Sequence, residues 1–446
     1  MAFNTDQQTL EDLNIFPGPG PDSVFNLFNR TRTAKGAEML EEMFRYPLSD
    51  AEAINNRSSR IKHFAENNTV FPFNTELFDM AEQYLADTDE RTRLKHEKQT
   101  FEKRLNNLIS SDAGYQIISN GINAILNITH QLKTLLASDD SEAGPYYRDN
   151  TILSLLSSEP FAALLKESAH VNITGTKLIE FDSLLRFQHL GSVRELLQYI
   201  YVLDVLISVG RVAKEHGFVL PQACLTKQGN TGITGFYHPL LKNAVPNDLT
   251  FESDKNICFL TGANMAGKST FMKSIGIAMY LGHMGFPVPA GKMEFAVMDG
   301  IFTTINLPDN LGIGASHFYA EVLRLKKIAR ELSLRKNILV IFDELFRGTN
   351  VKDAYEATVA VTSAFAKKHN SLFVISTHIT EAGETLREQN SSVSFKYLPT
   401  RMNADKPVYS YTLENGISAD RHGMLIIENE GILDILKNGQ NKKNIS

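Results

Sequence analysis

Between the apolar run Ile257-Cys258-Phe259-Leu260-Thr261 and a helical run opening on Thr270-Phe271 lies the octet Gly262-Ala263-Asn264-Met265-Ala266-Gly267-Lys268-Ser269. Its spacing, G-x-x-x-x-G-K-[ST], suits the holding of phosphates. Gly262 and Gly267 let backbone N–H groups close around a β-phosphate, where a helix N-terminus adds partial positive charge. Lys268 supplies a point cation to the β- and γ-phosphates, and the Ser269 hydroxyl is a candidate magnesium ligand. The whole span from Gly262 through Ala263, Asn264, Met265, Ala266, Gly267, Lys268 and Ser269 to Thr270 is the expected contact with ATP or ADP. A glycine-rich turn capped by Ser269 is the competing reading. The strand-like run before it and the helical run after it weigh against that.

Two further strings could complete the chemistry. Asn337-Ile338-Leu339-Val340-Ile341-Phe342-Asp343-Glu344 is an apolar strand ending in two carboxylates. Ending a buried strand so is costly unless the acids have work or partners. Asp343 would hold Mg2+ through water, and Glu344 would orient or deprotonate the attacking water. An N-cap followed by a solvated acid is the alternative. The run Leu372–Ser376 leads into Thr377 and His378, and ligands of parallel sheets bind at the carboxyl ends of the strands. His378 is then a candidate γ-phosphate sensor, with a satisfied loop histidine as the other reading. The catalytic set expected is Glu344, Lys268 and His378; the metal set is Ser269 and Asp343.

These residues need a sheet to carry them. After Gly229 short β-rich runs alternate with helical segments, which argues for βαβ units and a mainly parallel sheet. From about Asp22 to Gly217 apolar residues recur instead at helical spacing. The expected organisation is an all-α domain over 1–222 and an α/β P-loop NTPase domain over 223–446.

Length and composition agree. The 446 residues suggest two or three domains, and 43% hydrophobic with 22% charged residues is ordinary for a globular chain. Cys224 and Cys258 are too few for a disulfide framework and read as reduced core residues. The start MAFNTDQQTLEDL has no signal-peptide pattern, and no apolar run reaches the roughly 18 residues of a membrane span, so a cytoplasmic address and no membrane partner are expected. Net charge is -6, and residues 1–250 carry 23 Lys+Arg against 31 Asp+Glu. Nucleic-acid binding would therefore rest on a local patch. The best is 90–104, ERTRLKHEKQTFEKR, readable as a solvated helix face or as a DNA contact.

Several strings together resemble the MutS family of DNA mismatch-repair ATPases. TGANMAGKSTFMK is similar to that family's Walker A segment, MDGIFTTINLPDNLGIGASHFYAEV to its signature segment, and LVIFDELFRGTNVKDA to its Walker B and following loop. Gly314, Ser316, Phe318 and Glu321, with Arg347-Gly348-Thr349, set the match apart from P-loop proteins at large. LFNRTRTAKGAEMLEEMFRYPLSDAEAINNRSSRIKHF resembles the opening of the family's core or lever domain.

The resemblance implies an ABC-type ATPase domain preceded by an all-α core/lever domain, using ATP/ADP and Mg2+, in a homodimer paired through its ATPase domains and acting on DNA. One subunit's Ser316 would reach, in trans, the γ-phosphate held by the other. Capping the following helix is the competing role for Ser316. Tyr411 falls where relatives present a ring to adenine, with a core or strand-face tyrosine as the alternative. His317 and Phe346 depart from the family's usual Thr and Gly. The mismatch-reading domains and the DNA clamp are expected to be missing, and Phe16 reads as ordinary packing. A switch acting on a protein or ribonucleoprotein partner stands as the alternative function.

Overall fold

A computed structural model of the chain describes residues 3–18, 22–94, 108–137, 150–169, 171–225, 230–252, 254–306, 317–403, 406–418, 431–433 and 435–436. They form two compact units, neither contiguous in sequence. One holds 29–42 and 60–212; the other holds 1–28, 43–59 and 213–446.

In the first unit every described regular element is helical. Its long helices include Leu108–Ala137 and most of Leu190–His216. Glu76–Ala86 packs on Leu108–Ala137 so closely that a Cβ on Gly121 would stand 2.1 Å from the Tyr84 Cβ. Beside Tyr84 lies a buried ion pair, in which Arg186 Nε and Nη2 donate to Asp182 Oδ1 and Oδ2 at 2.7 and 2.9 Å. A buried pair is tolerable only when its remaining groups are satisfied. Here the Asp87 and Thr92 carbonyls, the Tyr84 hydroxyl and the Leu94 amide do this.

By length and apolarity Leu190–His216 is the one helix among the described residues that could cross a membrane, contrary to the sequence expectation, with a mean hydropathy of 1.5 in its best window. That window is 83% buried in the structure, so packing accounts for its composition.

The second unit carries two sheets. A four-stranded sheet of β1 (Gln222–Cys224), β2 (Thr231–Phe236), β3 (Asn247–Phe251) and β5 (Lys292–Ala296) runs in the order β1-β5-β2-β3. The larger sheet contains β4 (Ile257–Gly262), β6 (Gly300–Thr304), β7 (Ile338–Phe342), β8 (Leu372–Ser376), β9 (Val393–Leu398) and the short β12 (Glu414–Asn415), in the order β12-β9-β4-β8-β7-β6. All pairs are parallel except β12 with β9. A ribbon of β10 (Thr400–Asn403) and β11 (Lys406–Tyr409) follows β9.

Every residue of β4, β6, β7 and β8 is buried, which is why these strands read as largely apolar runs, closed in β4, β6 and β8 by buried Thr or Ser, rather than as alternating ones. Phe365 stacks on Phe373 at 4.5 Å on one side of this core. The outer edge of β6 is closed by the chain's start: Asn4 bridges Gly300, and the Asp12 carboxylate accepts from the amides of Ile305 and Asn306. Phe16 packs near Phe25 and Phe44, as ordinary core aromatics do.

The helix Lys268–His283 is buried along most of its length. His283, wholly buried, accepts from the Met298 amide through Nε2 at 2.8 Å and meets the Met279 carbonyl through Nδ1 at 2.7 Å. Burial pushes its pKa down to about 4, so it is a neutral core histidine. Cys258 lies in the core on β4, whereas Cys224 is only partly buried at the end of β1. The core expectation thus fails for Cys224, because β1 is a short edge strand.

Candidate nucleotide site

Residues 262–269 form the connection from β4 into the helix Lys268–His283. Its two glycines stand where side chains do not fit. Gly262 has φ 144° and a Cβ there would lie 2.9 Å from the Leu398 carbonyl oxygen; Gly267 has φ 100° and a Cβ would lie 3.0 Å from Tyr411 Cδ1. Lys268 is buried, and its Nζ donates to the carbonyls of Gly262 and Ala263 at 2.9 and 3.1 Å. Burial pulls its pKa down, while Asp343 and Glu344 pull it up.

Asp343 and Glu344 follow β7, at the carboxyl end of the parallel strands. The Ser269 hydroxyl donates to Asp343 Oδ2, so a hydroxyl from the loop after β4 and a carboxylate from the end of β7, two strands along, converge on one point. Ser376, at the end of β8, joins the two acids. Its buried hydroxyl donates to Asp343 Oδ1 at 2.6 Å and accepts from the Glu344 amide at 2.9 Å. His378 Nε2 meets Glu344 Oε1 at 2.5 Å, and Arg347 Nη1 lies 3.6 Å from Oε2. The hydrogen bond with His378 holds the Glu344 carboxyl below its ordinary range against the opposing effect of burial; Lys268 and Arg347 add to the lowering. Of the two readings of His378, a partnered histidine and a sensor, the geometry is compatible with both.

A cavity of about 510 Å3 opens against the loop. Ala263, Asn264, Met265, Gly267, Lys268, Ser269, Thr270 and Glu344 form one side. Phe236, His238, Leu241 and Val245, with the polar Lys242, Asn243 and Asn247, come from β2 and the segment up to β3 and line another side together with Tyr411. Phe236, His238 and Leu241 lie in the string GFYHPLL, which resembles the family's return from the helical domain to the ATPase, whereas Val245 and Asn247 carry no sequence signal of their own. The contrast of an apolar wall with a polar cradle is what an amphipathic ligand such as a nucleotide requires. Burial, with the nearby Lys273, pushes the His238 pKa down to about 4, so His238 is neutral at physiological pH, and the charged side chain on this side of the cavity is Lys242.

Tyr411 is half-exposed in a turn with φ 56°, and so is neither a core nor a strand-face tyrosine. Phe346 has φ 64°, a conformation that suits glycine, yet its side chain is buried with its ring 6.0 Å from that of Phe318. Phe318 lies in the first turn of the helix His317–Ser333, which also buries Glu321. That helix start approaches the loop after β7 closely: a Cβ on Gly348 would stand 2.6 Å from the Phe318 amide nitrogen.

Gly314 and Ser316 lie outside the described residues, as does most of the basic segment 90–104. Its described part is not the expected helix but a single 3-10 turn, Glu90–Thr92, in which Asp89 caps the turn and pairs with Arg91. That local bonding competes with helix formation.

The MutS domain III family model matches residues 8–210, and the MutS domain V model matches residues 258–444. Among curated relatives, the "DNA mismatch repair protein MutS" of Syntrophomonas wolfei subsp. wolfei is 28% identical over 395 residues, covering 81% of this chain and 44% of the relative. The protein of that name from Petrotoga mobilis is 31% identical over 247 residues, covering 54% of this chain and 29% of the relative. A third, from Pseudothermotoga lettingae, is 28% identical over 265 residues, 56% of this chain and 32% of its own. The chain thus spans less than half the length of the curated relatives it matches. Two successive MutS domains cover most of it in their proper order, and the chain belongs to the MutS family.

Proposed function

We propose that residues 223–446 carry an α/β P-loop NTPase domain of the ABC type that hydrolyses ATP with magnesium, and that the helical unit within residues 1–222 supplies the lever its cycle moves. The observation that carries this reading is the meeting of the loop 262–269 with Asp343, Glu344 and His378 beside a cavity with an apolar wall.

The donors suit the cation. Ser269 and Asp343 present hard oxygens to one point, and among the described residues no group of three or more His, Cys, Asp or Glu could hold a metal. Two protein oxygens completed by phosphate and water are the usual holding of Mg2+. When bound there, Mg2+ would neutralise charge on the β- and γ-phosphate oxygens.

The remaining work falls to the chain. Lys268 exchanges its two loop carbonyls for phosphate oxygens. Glu344, a carboxylate at neutral pH as glutamates ordinarily are and shifted further that way by His378, accepts a proton from the attacking water. While His378 bonds Oε1, that oxygen is occupied. A γ-phosphate offers His378 a second acceptor, and the transfer of its hydrogen bond would free Glu344 when ATP is present. The two nucleotide states then differ in contacts, which a switch requires.

We place this activity in a homodimer, with Ser316 of one copy completing the site of the other, and we take its target to be DNA. The support for DNA is family membership alone, an argument by analogy. The excess of acids in residues 1–250 favours a second reading, a switch on a protein or ribonucleoprotein partner.

Magnesium-dependent phosphate release by the purified chain tests the enzyme. Lys268→Ala should lose nucleotide binding, and Glu344→Gln should keep ATP but stall; full turnover in either would defeat the assignment. Titration with homoduplex, mismatched and branched DNA, with and without a non-hydrolysable ATP analogue, tests the target. No binding at low salt would leave the second reading.

A further inference from the structure

We infer that Asn247 sets the base-binding wall of the cavity, by fixing Tyr411 in a turn that holds its ring against the phosphate loop, and so governs affinity for the nucleoside end of the ligand. This rests on the nucleotide reading above.

Tyr411 has φ 56°, and a bulky side chain in the left-handed region is a genuine outlier. Such a residue persists only where its surroundings over-determine it. Asn247 does so from both ends of the turn. Its Nδ2 donates to the Tyr411 carbonyl at 2.9 Å, and its Oδ1 accepts from the Leu413 amide at 2.6 Å. Nδ2 also reaches the Val245 carbonyl at 3.3 Å. One nearly buried amide thus uses its acceptor and its donors on this junction.

Asn247 is itself on a rigid element. It opens β3 and pairs with Phe236 of β2, whose ring lies 5.3 Å from that of Phe271 in the helix that follows the loop. The Tyr411 ring stands where a Cβ on Gly267 would come within 3.0 Å of it. It remains half-exposed, and it shares the cavity with Phe236, Leu241 and Val245. An aromatic face open to a cavity, next to a phosphate cradle, is where a base can stack. Asn247 is therefore a positioning residue, acting through Tyr411 on the base and leaving the phosphates to the loop.

The test compares two ligands, a non-hydrolysable ATP analogue and inorganic tripolyphosphate, each titrated calorimetrically with magnesium into the full chain. Asn247→Ala should weaken the analogue about tenfold, the scale of one base–aromatic stack, and leave tripolyphosphate within about twofold. Tyr411→Ala should do the same, and the double variant should bind the analogue no more weakly than Tyr411→Ala alone.

Losses that multiply in the double variant, or tripolyphosphate weakening in step with the analogue, overturn the inference. Because Asn247→Ala removes several buried hydrogen bonds, Tyr411→Ala carries the test by itself if the former fails to fold: unchanged analogue affinity in Tyr411→Ala overturns it equally. Wild-type chain that binds neither ligand refutes the nucleotide reading instead.

Discussion

Ser376→Ala probes whether the two acids work as a unit. The Ser376 hydroxyl is buried, donates to Asp343 Oδ1 at 2.6 Å and accepts from the Glu344 amide at 2.9 Å. A hydrogen bond to a carboxylate contributes about 1.5–3 kcal/mol, and a buried amide left without an acceptor costs about 1–3 kcal/mol. Both losses pass through one oxygen atom, so they do not add in full; about 2–4 kcal/mol is the expected total. Part of it falls on the folded state whatever is bound. If half or more falls on the transition state, at least about 1–2 kcal/mol, kcat drops at least roughly 5- to 30-fold. The assay is steady-state phosphate release across a magnesium series at saturating ATP, beside nucleotide binding without magnesium. Turnover should fall and the magnesium midpoint should rise, because Asp343 loses the bond that orients it. Metal-free binding should hold, because the hydrogen bonds of the Ser376 hydroxyl go to Asp343 and the Glu344 amide and not to Lys268. Turnover and magnesium midpoint both within about twofold of wild type would refute the idea that this hydroxyl aligns the acids.

Mixing Ser316→Ala subunits with Lys268→Ala subunits should restore part of the ATPase activity through one intact composite site per heterodimer; no rescue in verified heterodimers counts against a site shared in trans. Phe346→Gly removes a backbone cost of about 1–2 kcal/mol but strips a buried ring whose loss costs about 3–5 kcal/mol, so the denaturation midpoint should fall, and a rise would show that the backbone cost is the larger. For Asp6, burial raises the pKa, but Arg324 and Lys327 outweigh it and hold the carboxyl well below the usual range. Its folded value is depressed, so its stabilisation is complete above the unfolded value of about 3.9 and is lost as pH falls toward the folded one. Asp6→Asn should therefore unfold more easily than wild type at pH 7, with the gap closing below about pH 4; a gap that stays constant with pH would sink this account.

What could be read from the sequence followed the range of the signals. The loop 262–269 and the acids closing β7 are local patterns whose chemistry depends on neighbours a few residues away, and the parallel sheet announces itself through short, largely apolar β-rich runs alternating with helical segments. Ser376 sits one residue before the Thr377-His378 pair, yet a serine ending a strand says nothing of Asp343 and Glu344 on the next strand. His238, Leu241 and Asn247 enter the cavity because β2 and β3 return beside the loop, and no spacing encodes that. The start of the chain shows the same limit. Nothing in the sequence marks Asp6 or Asp12, yet Asp12 covers the edge of β6 and Asp6 pairs with Arg324 and Lys327 of the helix His317–Ser333.

Backbone strain was the least legible feature, and it is concentrated at the site. Among the described residues eight non-glycine positions have positive φ. Three are Asn14, Asn68 and Asn243, and asparagine tolerates that region; Arg335 follows the end of a helix. The other four are Met265 in the loop, Glu344 and Phe346 in the turn after β7, and Tyr411 on the cavity wall. A search for glycine finds Gly262 and Gly267 but passes over these, because nothing in a methionine or a phenylalanine declares a left-handed backbone. Each costs about 1–2 kcal/mol, and each of the last three has a holder: Ser376 for the Glu344 amide, Phe318 for the Phe346 ring, Asn247 for the Tyr411 turn. Strain of this kind is released when its holder is removed, and the turn then relaxes toward an ordinary conformation while the sheet beneath it persists. Substituting a holder should therefore reduce nucleotide handling well before it unfolds the domain, whereas an equally large cavity made in β4 or β7 should reduce both together.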